Sequence, residues 1–280
     1  MTPRLCVFDL DETLLNREKK ITPENERAVL ALQQQGVLAT IATGRSHLQI
    51  REYIDRLQIK IPVITCNGGV MSMPGTEEIL HVSYLMPARA REIAAFCEAE
   101  RLDYLMYTAA HICYTAGSRR IEGYLRYNEA LRADPARSRD FLVPVRCMDD
   151  ADDGDFSTAI KLLVLGDAAR FSEIAARFNR DHALTIVSSG EGLIDIMAQA
   201  TTKGDAVAAL AEREGVPLQE VAVFGDSPND ISMFEVAGVR VAMGNAVPEV
   251  RALATYVTKT NEESGVAAAL AHLFSADHSA

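Results

Sequence analysis

Two carboxylates, Asp9 and Asp11, stand two residues apart where the apolar run Leu5-Cys6-Val7-Phe8 ends. Acids this close can hold a divalent cation, or divide nucleophilic and proton-transfer duties between them. Three more segments bring polar groups to comparable places: Thr43-Gly44-Arg45, Lys203-Gly204, and Gly225-Asp226-Ser227-Pro228-Asn229-Asp230. Singly, the Thr-Gly, lysine and Asp-Ser-Pro segments are weak signals; in this order, one sheet can bring all four together. The combination suits phosphoryl transfer from an ester, which needs a nucleophile, charge neutralisation and a proton source. Asp9 could attack phosphorus, while Asp11 protonates the leaving alkoxide and then activates water. Mg2+ prefers oxygen ligands and keeps several waters, so Asp9, Asp226 and one backbone carbonyl would suffice. Thr43 and Lys203 would meet the phosphoryl oxygens as donor and positive charge, and Gly44 lets the backbone approach closely.

The elements that must position these residues follow from the pattern. The opening apolar run predicts a buried strand, and in open α/β sheets chemistry gathers at the carboxyl ends of strands. Thr22-Pro23-Glu24 predicts a capped helix that runs to Gln35 and stops at Gly36. A strand over 37–43, a helix from Ser46 to about Leu57 and a strand over 62–66 complete a βαβαβ order. That order predicts a doubly wound parallel sheet of the α/β class. From residue 70 the alternation breaks. A hairpin over 70–85, helices over 88–100, 119–132 and 168–180, and strands over 102–109, 111–116, 141–147, 159–165 and 184–188 read as a separate α+β module. Alternation returns with a strand over 193–197, and residues 275–280 read as a frayed tail. The expected domains are a core of residues 1–82 and 192–280, and an insert of residues 83–191.

Composition narrows the field. With 280 residues the chain has room for two domains, and 48% apolar content supports substantial cores. A net charge of −11, with no run of Lys or Arg long enough to suggest a nucleic-acid footprint, means that an anionic partner must be drawn by local charge or a metal. No apolar stretch approaches the roughly 20 residues of a membrane span, and the first residues lead straight into a strand. The expectation is a cytoplasmic protein with no membrane partner. The five cysteines, Cys6, Cys66, Cys97, Cys113 and Cys147, show no CxxC spacing, which argues against a disulfide framework or a zinc site. None of the six histidines lies in the four segments; His47 is nearest and reads as a helix-surface residue. Tyr104, Tyr107, Tyr114, Tyr124 and Tyr127 cluster in the insert and read as core.

On these motifs the chain resembles the haloacid dehalogenase-like superfamily, and more narrowly the Cof-type phosphatases. Asp9-Leu10-Asp11-Glu12-Thr13-Leu14 is similar to the first motif, Thr43-Gly44-Arg45 to the second, Lys203-Gly204 to the third and Gly225–Asp230 to the fourth. Asn67-Gly68 and residues 261–266 also resemble that subfamily. The resemblance implies a Rossmann-like core with an inserted α/β cap that closes over the leaving group. It implies Asp9 as aspartyl-phosphate nucleophile and magnesium ligand, Asp11 as general acid/base giving its carbonyl to the metal, and Asp226 as the remaining ligand. Asp230 would support the metal site from behind, and Thr43, Gly44, Lys203, Asn229 and the backbone of Leu10 would contact phosphate. Glu12 stands where the family has glycine, in a segment expected to be a flexible flap. The implied reaction is magnesium-dependent hydrolysis of a small phosphorylated metabolite by a monomer or homodimer. Sugar phosphates are the leading class, with pyridoxal phosphate or flavin mononucleotide as others. A sugar phosphomutase and a non-enzymatic phospho-acceptor module are the alternatives; Asp11, placed to activate water, argues against the latter.

Overall fold

A computed structural model describes residues 2–76, 78–180, 182–190 and 192–275. Residues 276–280 of the expected frayed tail lie outside them. The chain opens with β1 (Leu5–Phe8), α1 (Pro23–Gln34), β2 (Leu38–Ile41), α2 (Arg51–Leu57), β3 (Val63–Thr65), β4 (Val70–Ser72) and β5 (Ile79–Val82). Next come α3 (Pro87–Ala99), β6 (Tyr104–Thr108), β7 (Ile112–Tyr114), α4 (Arg119–Ala133), β8 (Val145–Cys147), α5 (Asp153–Ser157), β9 (Ala159–Leu165), α6 (Ala168–Phe178), β10 (Leu184–Ser188) and β11 (Leu193–Ala198). The chain closes with α7 (Lys203–Arg213), β12 (Val221–Gly225), α8 (Ile231–Val236), β13 (Val239–Ala242), α9 (Pro248–Leu253), β14 (Tyr256–Val257) and α10 (Gly265–Leu273). It divides into two compact units, Met1–Gly44, Tyr53–Leu80 and Thr202–Ala280 in one, Arg45–Glu52 and His81–Thr201 in the other.

The first unit is built on a parallel sheet in the order β14-β13-β12-β1-β2. Phe8 pairs with Phe224 on one side and Ile41 on the other, so three strands end at one level. Every residue of β1 and β12 is buried, as expected for near-continuous apolar strands covered on both faces. The rings of Phe8 and Phe224 lie 4.7 Å apart between them. The expected cap of α1 is present: the Thr22 side chain accepts from Asn25 N, with Pro23 at the first helical position.

Two local expectations need correction. The expected helix from Ser46 to Leu57 is split, because the Ser46–Gln49 capping box closes a short turn at His47–Gln49 before α2 begins. The third strand meets β2 through the bridge Ala42–Ile64 and otherwise pairs antiparallel with β4. Cys66 and Asn67 take left-handed conformations, φ 50° and 55°, which turn the chain straight back.

The second unit carries a six-stranded sheet, β10-β11-β9-β6-β7-β8, antiparallel except between β7 and β8. One face packs Tyr104, Met106, Leu162, Val164, Ile194 and Ile196 against α3 and α6. The other packs Leu105, Tyr107, Ile112 and Leu163 with Ile121 of α4. Tyr104 and Tyr107 are core residues; Tyr114, Tyr124 and Tyr127 are only partly buried beside them. The strand at Leu193–Ala198, read from the sequence as the return to the core, belongs here. Ser189 N bonds Leu193 O and Leu193 N bonds Gly190 O, closing a hairpin that holds β11 beside β10. The return to the parallel-sheet unit therefore falls at Thr202 rather than near 192. Among the described residues no helix is long and apolar enough to cross a membrane.

Candidate active site

Asp9 leaves β1, Thr43 follows β2 and Asp226 follows β12, so the shared register delivers all three to one sheet edge. Lys203 opens α7 and is fully buried. Its Nζ donates to Oδ1 of Asp9 and to Oδ1 of Asp230, each at 2.6 Å. A cation at a helix amino terminus opposes the helix dipole, and the two carboxylates outweigh that penalty. Asp230 spends its other oxygen on the amides of Asp226 and Ser227, at 2.8 and 3.0 Å. Asp226 accepts from the hydroxyls of Thr13 and Ser227, both at 2.8 Å. Carboxylate oxygens of Asp9, Asp226 and Asp230 lie within 4.8 Å of one another. Gly204 is required by packing: a Cβ there would fall 2.2 Å from the Ser232 carbonyl, separating the first turn of α7 from α8.

Three buried carboxylates thus share one buried ammonium. Burial pushes the Asp9 carboxyl well above the usual carboxylate range; Lys203 opposes this, and Asp230 and Asp226 add to it. Burial, then Asp230, raises Asp226 to about 7 against the hydrogen bonds from Ser227 and Thr13. Burial alone would lower Lys203, but Asp230 and Asp9 hold it above its ordinary value. Excess negative charge on hard oxygen donors is what a divalent cation such as Mg2+ compensates. Asp9 and Asp226 would hold it. Both oxygens of Asp230 are already engaged, which fits a residue that orders Lys203 and the Asp226 loop from behind.

The remaining expected residues lie around this cluster. Thr43 is buried, its amide bonded to Ile64 O and its carbonyl accepting from Asn67 N. A Cβ on Gly44 would sit 3.1 Å from Asn67 Oδ1. That same oxygen accepts from Asn229 Nδ2 at 2.9 Å, linking the second and fourth motifs through Asn67. The Asn229 Oδ1 is buried with no hydrogen-bond partner among the described residues. Leu10 is buried, and its carbonyl caps the turn that follows by accepting from Leu15 N at 2.8 Å.

Asp11 is only partly buried, and Lys19 Nζ lies 3.0 Å from its carboxylate. Glu12 differs from the flexible flap expected of it. Its backbone is left-handed at φ 59°, its carbonyl accepts from Asn245 Nδ2, and its carboxylate meets Lys19 at 3.3 Å and Asn261 Nδ2 at 3.2 Å. Sequence reading missed Thr13, Ser227 and Lys19. Thr13 and Ser227 sit inside quoted motifs, but small hydroxyl residues are common in turns. Nothing in the spacing of Lys19 points back seven residues to Glu12. His47 is not a helix-surface residue: burial lowers its pKa, and its Nε2 lies 3.2 Å from Ala109 O.

Fold and site together define a phosphoric monoester hydrolase. The chain belongs to the haloacid dehalogenase-like hydrolases, whose family pattern matches residues 6–270. It is 32% identical to 5-amino-6-(5-phospho-D-ribitylamino)uracil phosphatase YwtE of Bacillus subtilis, over 98% of this chain and 99% of that one. It is 26% identical to pyridoxal phosphate phosphatase YbhA of Escherichia coli, over 95% and 97%. Among solved structures, a haloacid dehalogenase-like hydrolase from B. subtilis superposes with a TM-score of 0.82 at 30% identity, over 97% of this chain and 100% of that chain. A sugar phosphatase of subclass IIB gives 0.79 at 25% identity, over 96% and 98%.

Proposed function

We propose that this chain is a magnesium-dependent phosphatase of small phosphorylated metabolites, working through an aspartyl phosphate on Asp9. The observation that carries the proposal is the buried Asp9, Lys203, Asp230 and Asp226 cluster at the carboxyl edge of the parallel sheet. A carboxylate of Asp9 attacks phosphorus, and the bond to the ester oxygen breaks. Asp11 gives its proton to the leaving alkoxide, then takes one from the water that cleaves the acyl phosphate. Free phosphate leaves and the Asp9 carboxylate is restored. Lys203 and Thr43 stabilise charge on the phosphoryl oxygens, helped by Gly44, Asn229 and the Leu10 backbone. Asp9, Asp226 and the Asp11 carbonyl would hold Mg2+, which when bound neutralises charge between the nucleophile and its anionic substrate.

The named relatives act on a ribityl phosphate, pyridoxal phosphate and a sugar phosphate. Their shared chemistry supports phosphate esters of small polyols or of a heteroaromatic alcohol as the substrate class, with the insert as the substrate-specificity domain. The test is release of inorganic phosphate from p-nitrophenyl phosphate and then from a panel of such esters. We expect turnover with Mg2+ and loss on chelation. Full activity in Asp9→Asn overturns the nucleophile, and an isomeric sugar phosphate without free phosphate means a mutase.

A further inference from the structure

Spacing in the sequence argued against a zinc site, yet the second unit assembles one kind of ligand set that no linear motif shows. We propose that His111, Cys113 and Asp155 form a site for a borderline transition-metal ion, zinc by its chemistry, distinct from the Asp9 cluster. His111 and Cys113 are two residues apart on the β7 side of a hairpin, so both side chains take the same sheet face. The hairpin turn is fixed by Thr108, whose hydroxyl accepts from the amides of Ala110 and His111. Asp155 lies in the first turn of α5 and is 5% exposed at its side chain. One donor atom from each of the three residues falls within a sphere of mutual distances under 4.8 Å.

Three features separate this cluster from an ordinary ion pair. His111 Nε2 lies 2.7 Å from Asp155 Oδ1, yet it makes no aligned hydrogen bond among the described residues. A cation entering here would take the place of that contact and ligate both atoms. Bonds of about 2.1 Å in a tetrahedral site need an edge of roughly 3.4 Å, so loading requires an opening well under 1 Å. Second, the other oxygen of Asp155 is fully engaged, by Arg146 at 2.8 Å and by the Asp152 amide at 3.0 Å. This is the outer support that aims a ligating carboxylate, and it leaves Oδ1 as the coordinating atom. Third, Cys113 is fully buried while the His111 side chain is 20% exposed, so the histidine edge gives access and a place for water as fourth ligand. Imidazole, thiolate and carboxylate together favour Zn2+ over Mg2+ or Ca2+. Burial raises the Cys113 thiol to about 12, so metal binding must release that proton to solvent. The bound ion would brace the β6–β7 hairpin against α5.

The test uses the full chain, kept reduced with a non-thiol phosphine and held in excess Mg2+. Co2+ serves as the spectroscopic probe. We expect about one cobalt ion per chain to give a thiolate-to-cobalt charge-transfer band, and Zn2+ to displace it. The band should persist in Asp9→Asn, vanish in Cys113→Ser, and need at least about 100-fold more cobalt in His111→Ala and in Asp155→Asn. The partly exposed His111 serves as the second variant where the buried Cys113→Ser change impairs folding. Absence of a thiolate band at saturating cobalt overturns the proposal and leaves an ion pair and helix cap only. A band that survives in Cys113→Ser, pointing to the half-buried Cys147, or that disappears in Asp9→Asn, overturns it equally.

Discussion

Lys203 and Lys161 are both buried against carboxylates, one in each unit. Lys161 lies 3.0 Å from Asp195 on the neighbouring strand and 4.5 Å from the centre of the Tyr107 ring. Lys203 faces two carboxylates directly, and a third stands within the same cluster. The Lys161 pair is matched in charge, and an aromatic face covers the ammonium. The Lys203 group carries surplus acid, which adds to the upward push that burial gives Asp9 and Asp226. A buried lysine is therefore no signal by itself. The ratio of acids to bases around it separates a site waiting for a cation and an anionic substrate from a pair that completes a core.

The largest test of this contrast is Asp9→Asn. Removing the nucleophile should cost at least about 10³-fold in phosphate release, and Asp11→Asn about 10²–10⁴-fold. Both variants should fold, since Asp9→Asn removes an acid from a cluster that has too many. Activity within tenfold of wild type in Asp9→Asn would dissolve the functional side of the comparison.

Next come the lysines themselves. Lys203→Met and Lys161→Met should each destabilise by about 3–5 kcal/mol, because each takes an ammonium away from a buried carboxylate. The paired variants separate them. Lys161→Met/Asp195→Leu should regain most of the stability and retain phosphate release. Lys203→Met/Asp230→Leu should regain stability in part yet stay at least about 10²-fold down in kcat, since the charge on the phosphoryl oxygens goes uncompensated. Denaturant unfolding and phosphate release on all four proteins decide it. Equal loss of activity in the two double variants would mean that Lys161 is no mere core pair.

A smaller effect follows from Asp226, whose folded pKa of about 7 lies above its unfolded value. A carboxyl raised on folding binds its proton more tightly in the native state. The Asp226 contribution to metal-free stability should therefore fall as pH rises from about 4 through 7, by at most about 1.4 kcal/mol per unit, and then level off. Mg2+ binds the ionised cluster, so its gain in Tm should be larger at pH 8 than at pH 5.5. In Asp226→Asn both effects should shrink. A magnesium-induced rise in Tm that does not vary with pH would count against the surplus-acid reading.

The sequence made the chemistry more legible than the architecture that holds it. Asp9 was found from its own local signal, and Thr43, Lys203 and Asp226, each weak alone, because their order along strand ends and a helix start suits one sheet. The sheet register then brings Asp9, Thr43 and Asp226 together, and the start of α7 adds Lys203. What failed was long-range pairing. Leu193–Ala198 reads as any apolar strand, and only the hairpin with β10 assigns it to the second unit. The His111, Cys113 and Asp155 cluster was invisible for the same reason: its third member arrives from α5, which lies between the expected strands over 141–147 and 159–165 and was not among the expected helices. Thr13 and Ser227 escaped notice because a hydroxyl that holds a carboxylate resembles any turn hydroxyl until Asp226 is placed beside it.

Glu12 gives the finest test, since it sits beside the site without belonging to the buried cluster. Its left-handed backbone, φ 59°, costs a non-glycine residue about 1 kcal/mol. Its carboxylate recovers part of that through the half-exposed Lys19, a pair worth under about 1 kcal/mol, and through a part-buried bond from the Asn261 amide. Glu12→Gly relieves the strain but loses those contacts and frees the unfolded chain by about 0.5–1 kcal/mol. The Asn245 bond to the residue 12 carbonyl survives the change. These opposing effects should leave stability within about 1 kcal/mol of wild type. Removing one negative charge beside Asp11 should lower KM for an anionic ester by at most about threefold, more at low salt than at high. A loss above about 2 kcal/mol would mean that the side-chain contacts, rather than the backbone bond to Asn245, hold this segment in place. A rise in KM would mean that Lys19, released from Glu12, draws Asp11 away from the ester oxygen it must protonate.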